Sequence, residues 1–246
     1  MPDVNPFYVW LSWEEGFAVE RIFSVLATIA IAMLGANFVA GLSIGDFSAV
    51  SKDLIKASRE LRTVEAKGDS TAEQKETALK SFDEADAAFR GPRSRMTLHF
   101  FLGVGSTLLA ILVNSITVTY FIGTSRWCKE VVDTFSLDPS LAQEGADLKR
   151  RAFPFALMGM LTMVVIVTLG AKSDPSVPFN RGETAAWVNY HYMSAITGML
   201  LLIFFFYMQA QRIADNYRLI QKILAEVEKV RALQGNATNI VPKVAP

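Results

Sequence analysis

A second cysteine is missing from this sequence. Cys128 stands alone among 246 residues, which excludes an intrachain disulfide framework and any zinc site built on several thiolates. Surplus charge is missing as well, since 24 Lys and Arg balance 24 Asp and Glu. No net field draws the chain to nucleic acid or to acidic partners, so no nucleic-acid partner is expected. Phosphate-cradling Walker loops, nucleophile elbows and zincin motifs are absent. No catalytic residue is therefore nominated, and the reading leans away from an enzyme. Histidine is scarce too, with only His99 and His191.

The most telling absence is local. Four long stretches, 22–44, 96–122, 152–171 and 185–211, contain no Asp, Glu, Lys or Arg. A hydrocarbon core ~30 Å thick needs about 20 helical residues at ~1.5 Å each. Each stretch is long enough, and four in one short chain argue against buried helices of a soluble fold. The fold class expected is an all-α integral membrane protein with four transmembrane helices in a bundle. Pro154 falls in the first turn of the third span, where a missing N–H costs little.

Residues 1–21 carry Glu14, Glu15 and Glu20 ahead of the first span and do not read as a cleaved signal. Tyr8, Trp10 and Trp13 there read as an interfacial aromatic belt, as do Trp187, Tyr190 and Tyr192. Between spans 1 and 2, residues 46–93 hold the stripe Val50, Leu54, Ala57, Leu61 and Val64, in steps of four and three. The stripe is expected to continue the first span without a break. Ser70 and Glu73 have capping-box spacing, and a second stretch carries Leu79, Phe82 and Phe89. Gly91 and Pro92 are expected to stop that stretch before the second span. The result is an extramembrane antiparallel helical hairpin whose apolar stripe is largely consumed between its arms. Residues 123–151 read as an amphipathic loop and 172–184 as a short loop. Residues 212–233, with Ile213, Tyr217, Ile220, Leu224 and Val227, form a C-terminal extension of span 4, and 234–246 read as a disordered tail.

Each span crosses once. The hairpin and the 172–184 loop therefore share one face, while the termini and the 123–151 loop share the other. The basic residues near span ends place both termini on the cytoplasmic side.

Spans 2 and 4 run in the same direction, and each has its histidine near its start. His99 and His191 thus fall in one leaflet at similar depth. Each heads a stripe of small or polar residues: Gly103, Ser106, Ala110, Asn114 and Thr117 below His99, and Ser194, Ala195 and Gly198 below His191. Polar groups at membrane depth face the bundle interior, so both imidazoles are expected inward. Two functions follow. The first is a non-catalytic multi-pass membrane subunit or scaffold that binds other membrane subunits, or itself, through its bundle and extramembrane helices. The alternative is a small redox subunit binding one haem b, with His99 and His191 as axial iron ligands. In that reading the ring nitrogens lie ~4 Å apart through the iron, taking ~2 Å for each metal–nitrogen bond. Gly103 would make room for the ring, and Arg95, with Arg93, Lys172 and Arg181, would meet its propionates. A small-solute or ion transporter stands third, because no ionisable group sits at mid-depth. Asn37 and Asn114 read as interhelical hydrogen-bonding groups, and the small residues Gly41 and Gly45 as packing.

Overall fold

The computed structural model describes the backbone of residues 6–174, 177 and 184–240, and the side chains of 19–174, 177, 184 and 186–234. The described chain is helical with no strand. It comprises α1 (Pro6–Leu42), α2 (Phe47–Ala66), α3 (Ala72–Phe135), α4 (Pro139–Ser173) and α5 (Thr184–Ile240). All but α2 are long and apolar enough to cross a membrane. Only 17–22% of each apolar stretch is buried inside the protein. Leu98, Phe100, Phe101, Leu108, Leu157, Val164, Leu200 and Phe204 all point outward. A large apolar side chain left in water forgoes about 1.5–3 kcal/mol of burial. A surface of this kind is consistent with an integral multi-pass membrane protein.

The helix boundaries differ from the sequence reading at several points, each with a local cause. The first span does not continue into the next helix. Gly45 adopts φ 78°, a left-handed conformation that suits glycine. Asp46 then caps α2, its Oδ1 accepting from the Ala49 N–H at 3.0 Å. The capping box that opens α3 is shifted by one residue from Ser70 and Glu73. Thr71 Oγ1 accepts from the Gln74 N–H at 3.2 Å, and Gln74 Oε1 accepts from the Thr71 N–H at 3.0 Å. Ser70 is engaged elsewhere, donating its hydroxyl to the Val64 carbonyl at 2.7 Å and closing the end of α2.

Gly91 and Pro92 do not stop the helix, because α3 runs through both. Proline removes one N–H and frees the carbonyl of Ala88, an exposed residue whose carbonyl water can serve. Phe47 of α2 meets Phe89 of α3 with ring centroids 5.4 Å apart. Leu54 and Phe82 line one cleft between the same helices. Both pairs fit an antiparallel register. Leu79 stays 49% exposed, so the two arms do not consume the whole apolar stripe, and Ile55, next to Leu54 on α2, is exposed as well.

The stretch 123–151 is helical rather than a loop. It completes α3, turns at Ser136–Asp138 and begins α4. Ser136 takes φ 50°, and the Leu137 N–H reaches back to the Val132 carbonyl at 3.0 Å, which terminates α3. Asp138 accepts from the Ser140 N–H at 2.9 Å, with Pro139 at the first helical position of α4. The end of α5 also differs from the sequence reading. Its backbone stays helical to Ile240, past Gln234, where the tail had been read as disordered. The expected belt at Tyr8, Trp10 and Trp13 falls outside the described side chains.

Two compact units divide the chain, and each draws on α1, α3, α4 and α5. One unit contains residues 1–29, 110–161 and 201–246. Its core includes Phe121, Cys128, Val132, Leu141, Leu148, Ile213, Leu219, Ile223 and Val227. Gly145 of α4 gives a close approach there, where an added Cβ would meet Cys128 and Leu219 at 3.4–3.5 Å. Cys128 is fully enclosed, and burial pushes its thiol up to about 12, so this cysteine is a packing residue rather than a nucleophile. The second unit contains residues 30–109 and 162–200, and with them both histidines.

Candidate functional site

The second unit brings the two imidazoles together. Their ring centroids lie 6.2 Å apart with planes crossed at 71°. No hydrogen bond joins the rings. Each lies against a glycine of a different helix.

His99 projects from α3 onto α1. An added Cβ on Gly41 would stand 3.0 Å from its Cε1 and 3.2 Å from its Nδ1. One turn earlier on α1, the Asn37 carbonyl lies 3.0 Å from the same Nδ1. A carbonyl only accepts, so the hydrogen sits on Nδ1, and Nε2 keeps a lone pair. His191 projects from α5 onto α4. An added Cβ on Gly170 would stand 3.0 Å from its Cε1 and 3.3 Å from its Nδ1. One turn earlier on α4, the Ile166 backbone lies near the ring, while Nδ1 is buried without a hydrogen-bond partner. A backbone approach one turn before a glycine thus recurs at 37–41 and 166–170. In each case the missing side chain admits an imidazole edge.

The sequence reading missed Gly41 and Gly170 as part of this site. From sequence alone Gly41 reads as packing, and nothing marks Gly170. The available signal was positional: both glycines end their spans on the side where the histidines begin theirs.

The other nominated residues have distinct surroundings. Gly103 of α3 faces the Asn37 carboxamide, 3.3 Å from where its Cβ would stand, so Asn37 occupies the space Gly103 provides. Asn37 Oδ1 is itself buried without a partner. Arg95 lies one turn before His99, and its guanidinium reaches back over Gly91 of its own helix. Arg93 is exposed. The Lys172 ammonium sits 4.5 Å over the Trp187 ring, close in sequence to the Gly170–His191 contact. Arg181 lies outside the described residues. Beside the histidines, Phe38 and Tyr192 meet with ring centroids 5.6 Å apart, and Ser194 donates to the His191 carbonyl at 2.8 Å.

Among the described residues, no three His, Cys, Asp or Glu converge to hold a metal ion. The donor set is two imidazoles alone. A bare zinc ion calls for about four ligands. A porphyrin iron brings its own four equatorial nitrogens, so two axial imidazoles complete it. No protein-family model, curated protein or solved structure shows significant similarity to the chain.

Proposed function

We propose that this chain is a multi-pass membrane subunit that holds one b-type haem between His99 and His191 and serves one-electron transfer. The observation that carries the reading is the 6.2 Å separation of the two ring centres. Two metal–nitrogen bonds of about 2 Å, plus about 1.1 Å from each nitrogen to its ring centre, give ~6.2 Å for rings facing through a metal. A direct hydrogen bond of ~2.9 Å between facing rings would bring the centres to ~5.1 Å. The tautomer agrees, since His99 spends Nδ1 on the Asn37 carbonyl and keeps Nε2 for a ligand bond. When bound, the haem supplies the electron-carrying iron. The chain's own residues fix the imidazoles and exclude lipid from between them.

In this reading α1, α3, α4 and α5 form a four-helix bundle in the bilayer. The arms around Phe47 and Phe89 form a hairpin outside it, on the side where the histidines lie. The exposed Leu79 and Ile55 favour a partner subunit or a second copy against that hairpin. The termini face the cytoplasm. Arg95 and Lys172 stand at the span ends on the histidine side, where propionates would emerge.

The test is the absorption spectrum of the full chain purified from haem-replete cells. A Soret band with sharp visible bands on reduction, at one haem per chain, is expected. Folded protein that is colourless and takes up no added haemin would leave the cofactor-free subunit as the function.

A further inference from the structure

The other unit contains a row of polar side chains that the histidine site does not use. Asn114 and Thr117 of α3 and Gln209 and Asn216 of α5 are all fully buried. Two hydrogen-bonded rungs join the helices. Gln209 donates from Nε2 to Asn114 Oδ1 at 3.0 Å, and Asn216 donates from Nδ2 to the Tyr120 hydroxyl at 3.0 Å. The rungs advance together along the two helices, by six residues on α3 and seven on α5, about 10 Å. Thr117 of α3 and Ile213 of α5 lie between them.

This row is incompletely bonded in one consistent way. Gln209 Oε1, Asn216 Oδ1 and Thr117 Oγ1 are buried with no partner. Thr117 is the informative one. Elsewhere on α3, Thr107, Ser115 and Thr124 fold their hydroxyls back on carbonyls four residues earlier, at 2.7–2.9 Å. Thr117 makes no such bond, although the Val113 carbonyl is the equivalent acceptor. Two unpartnered donors lie on α5 as well, Arg212 Nε between the rungs and Gln221 Nε2 beyond them. A bundle that left all these groups bare would be poorly stable.

We infer that this row binds a file of internal water molecules, running from Gln221 and the Asn216–Tyr120 rung past Arg212 inward to Asn114. Water fits because it supplies both donors and acceptors, and both kinds of group are left over. A dehydrated cation is the poorer fit, since Arg212 brings its own positive charge and the nearby Asp215 is already paired with Arg212 and Arg218. The ligand is thus water, and the site is a hydrated inlet that reaches well inside an apolar stretch.

Hydroxyl-radical footprinting of the full chain in lipid nanodiscs tests this. Radicals made from bound water modify side chains beside it even when those side chains are closed to bulk solvent. Phe121 and Ile213 flank the row and are fully buried. Phe23 is equally buried but packs on Phe206, and serves as the dry control. Phe121 and Ile213 should be modified severalfold more than Phe23. Thr117→Val with Gln209→Leu should bring them down to the Phe23 level while size exclusion and melting show a folded protein. If that pair does not fold, Thr117→Val alone should still lower the labelling. Wild-type Phe121 and Ile213 as unreactive as Phe23 would overturn the inference, as would labelling unchanged in the folded variants.

Discussion

The same long helices build two units with opposite habits toward polar side chains. In one, Asn114 pairs with Gln209 and Asn216 with Tyr120, so side chains answer each other across α3 and α5. In the other, His99 and His191 approach within 6.2 Å and do not bond to each other. Each rests instead on a glycine of a neighbouring helix, and His99 is also bonded to the Asn37 carbonyl. Both units spend glycines at close approaches, but on different things. Gly159 admits the Asn114 carboxamide, a group already engaged, whereas Gly41 and Gly170 admit the imidazoles of His99 and His191. A polar group that finds a polar partner in the bundle is holding helices together. Two that converge without bonding to each other are the basis of the proposed haem site.

The comparison breaks most severely at the imidazoles. His99→Ala and His191→Ala should each weaken haem binding by more than ~100-fold, since loss of an outer-shell partner alone costs 10–100-fold at metal sites. Haem retained per folded chain after purification reads this directly, and retention in either variant would disqualify that histidine as a ligand. A smaller effect is expected one shell out. Gly41→Ala and Gly170→Ala place a Cβ 3.0 Å from an imidazole edge, so each ring must give by a few tenths of an ångström. Affinity for haemin should fall by about 10–100-fold in titrations of the apoprotein, with the helical content unchanged. Wild-type affinity in both would show that the glycines serve helix packing alone.

In the carboxamide unit the expected loss is in stability. Gln209→Leu removes one buried neutral hydrogen bond and should cost about 0.5–2 kcal/mol in detergent unfolding, without moving the haem spectrum. A spectrum that shifts with Gln209→Leu would mean that the contrast drawn here between the units is wrong. Smallest of all is the change at an exposed ion pair. Asp86→Asn breaks the 2.7 Å contact with Arg90, but Arg90 is largely solvated, so less than ~0.5 kcal/mol is expected from the same unfolding curves. A larger loss would show that the α2–α3 pair depends on that charge.

The gaps in charge made the four apolar stretches legible, because no pattern of side chains hides a missing ion from a bilayer. The shared side of the two histidines was legible too, from counting crossings. Local capping chemistry was only partly read. Asp138-Pro139 is a cap followed by proline at the first helical position, yet 123–151 passed as a loop, since its apolar residues Cys128, Val132, Leu141 and Leu148 are split between two helices. The unbroken run through Pro92 was missed because proline forbids a hydrogen bond rather than a helix. The seating of His99 on Gly41 and His191 on Gly170 could not be read at all. It joins residues far apart in the chain, and a glycine four residues after a carbonyl has no periodicity of its own. Gly103 shows the converse error, where a small residue at the right spacing turned out to face Asn37.

The central claim is that one iron sits between two crossed imidazoles. Low-temperature electron paramagnetic resonance of the oxidised, purified full chain tests it most directly. Imidazole planes crossed at 71° predict a low-spin ferric signal of the strongly anisotropic type, carried by one haem per chain and missing from His99→Ala and His191→Ala. A folded chain with no haem signal, or a high-spin signal unchanged by either substitution, would contradict the account.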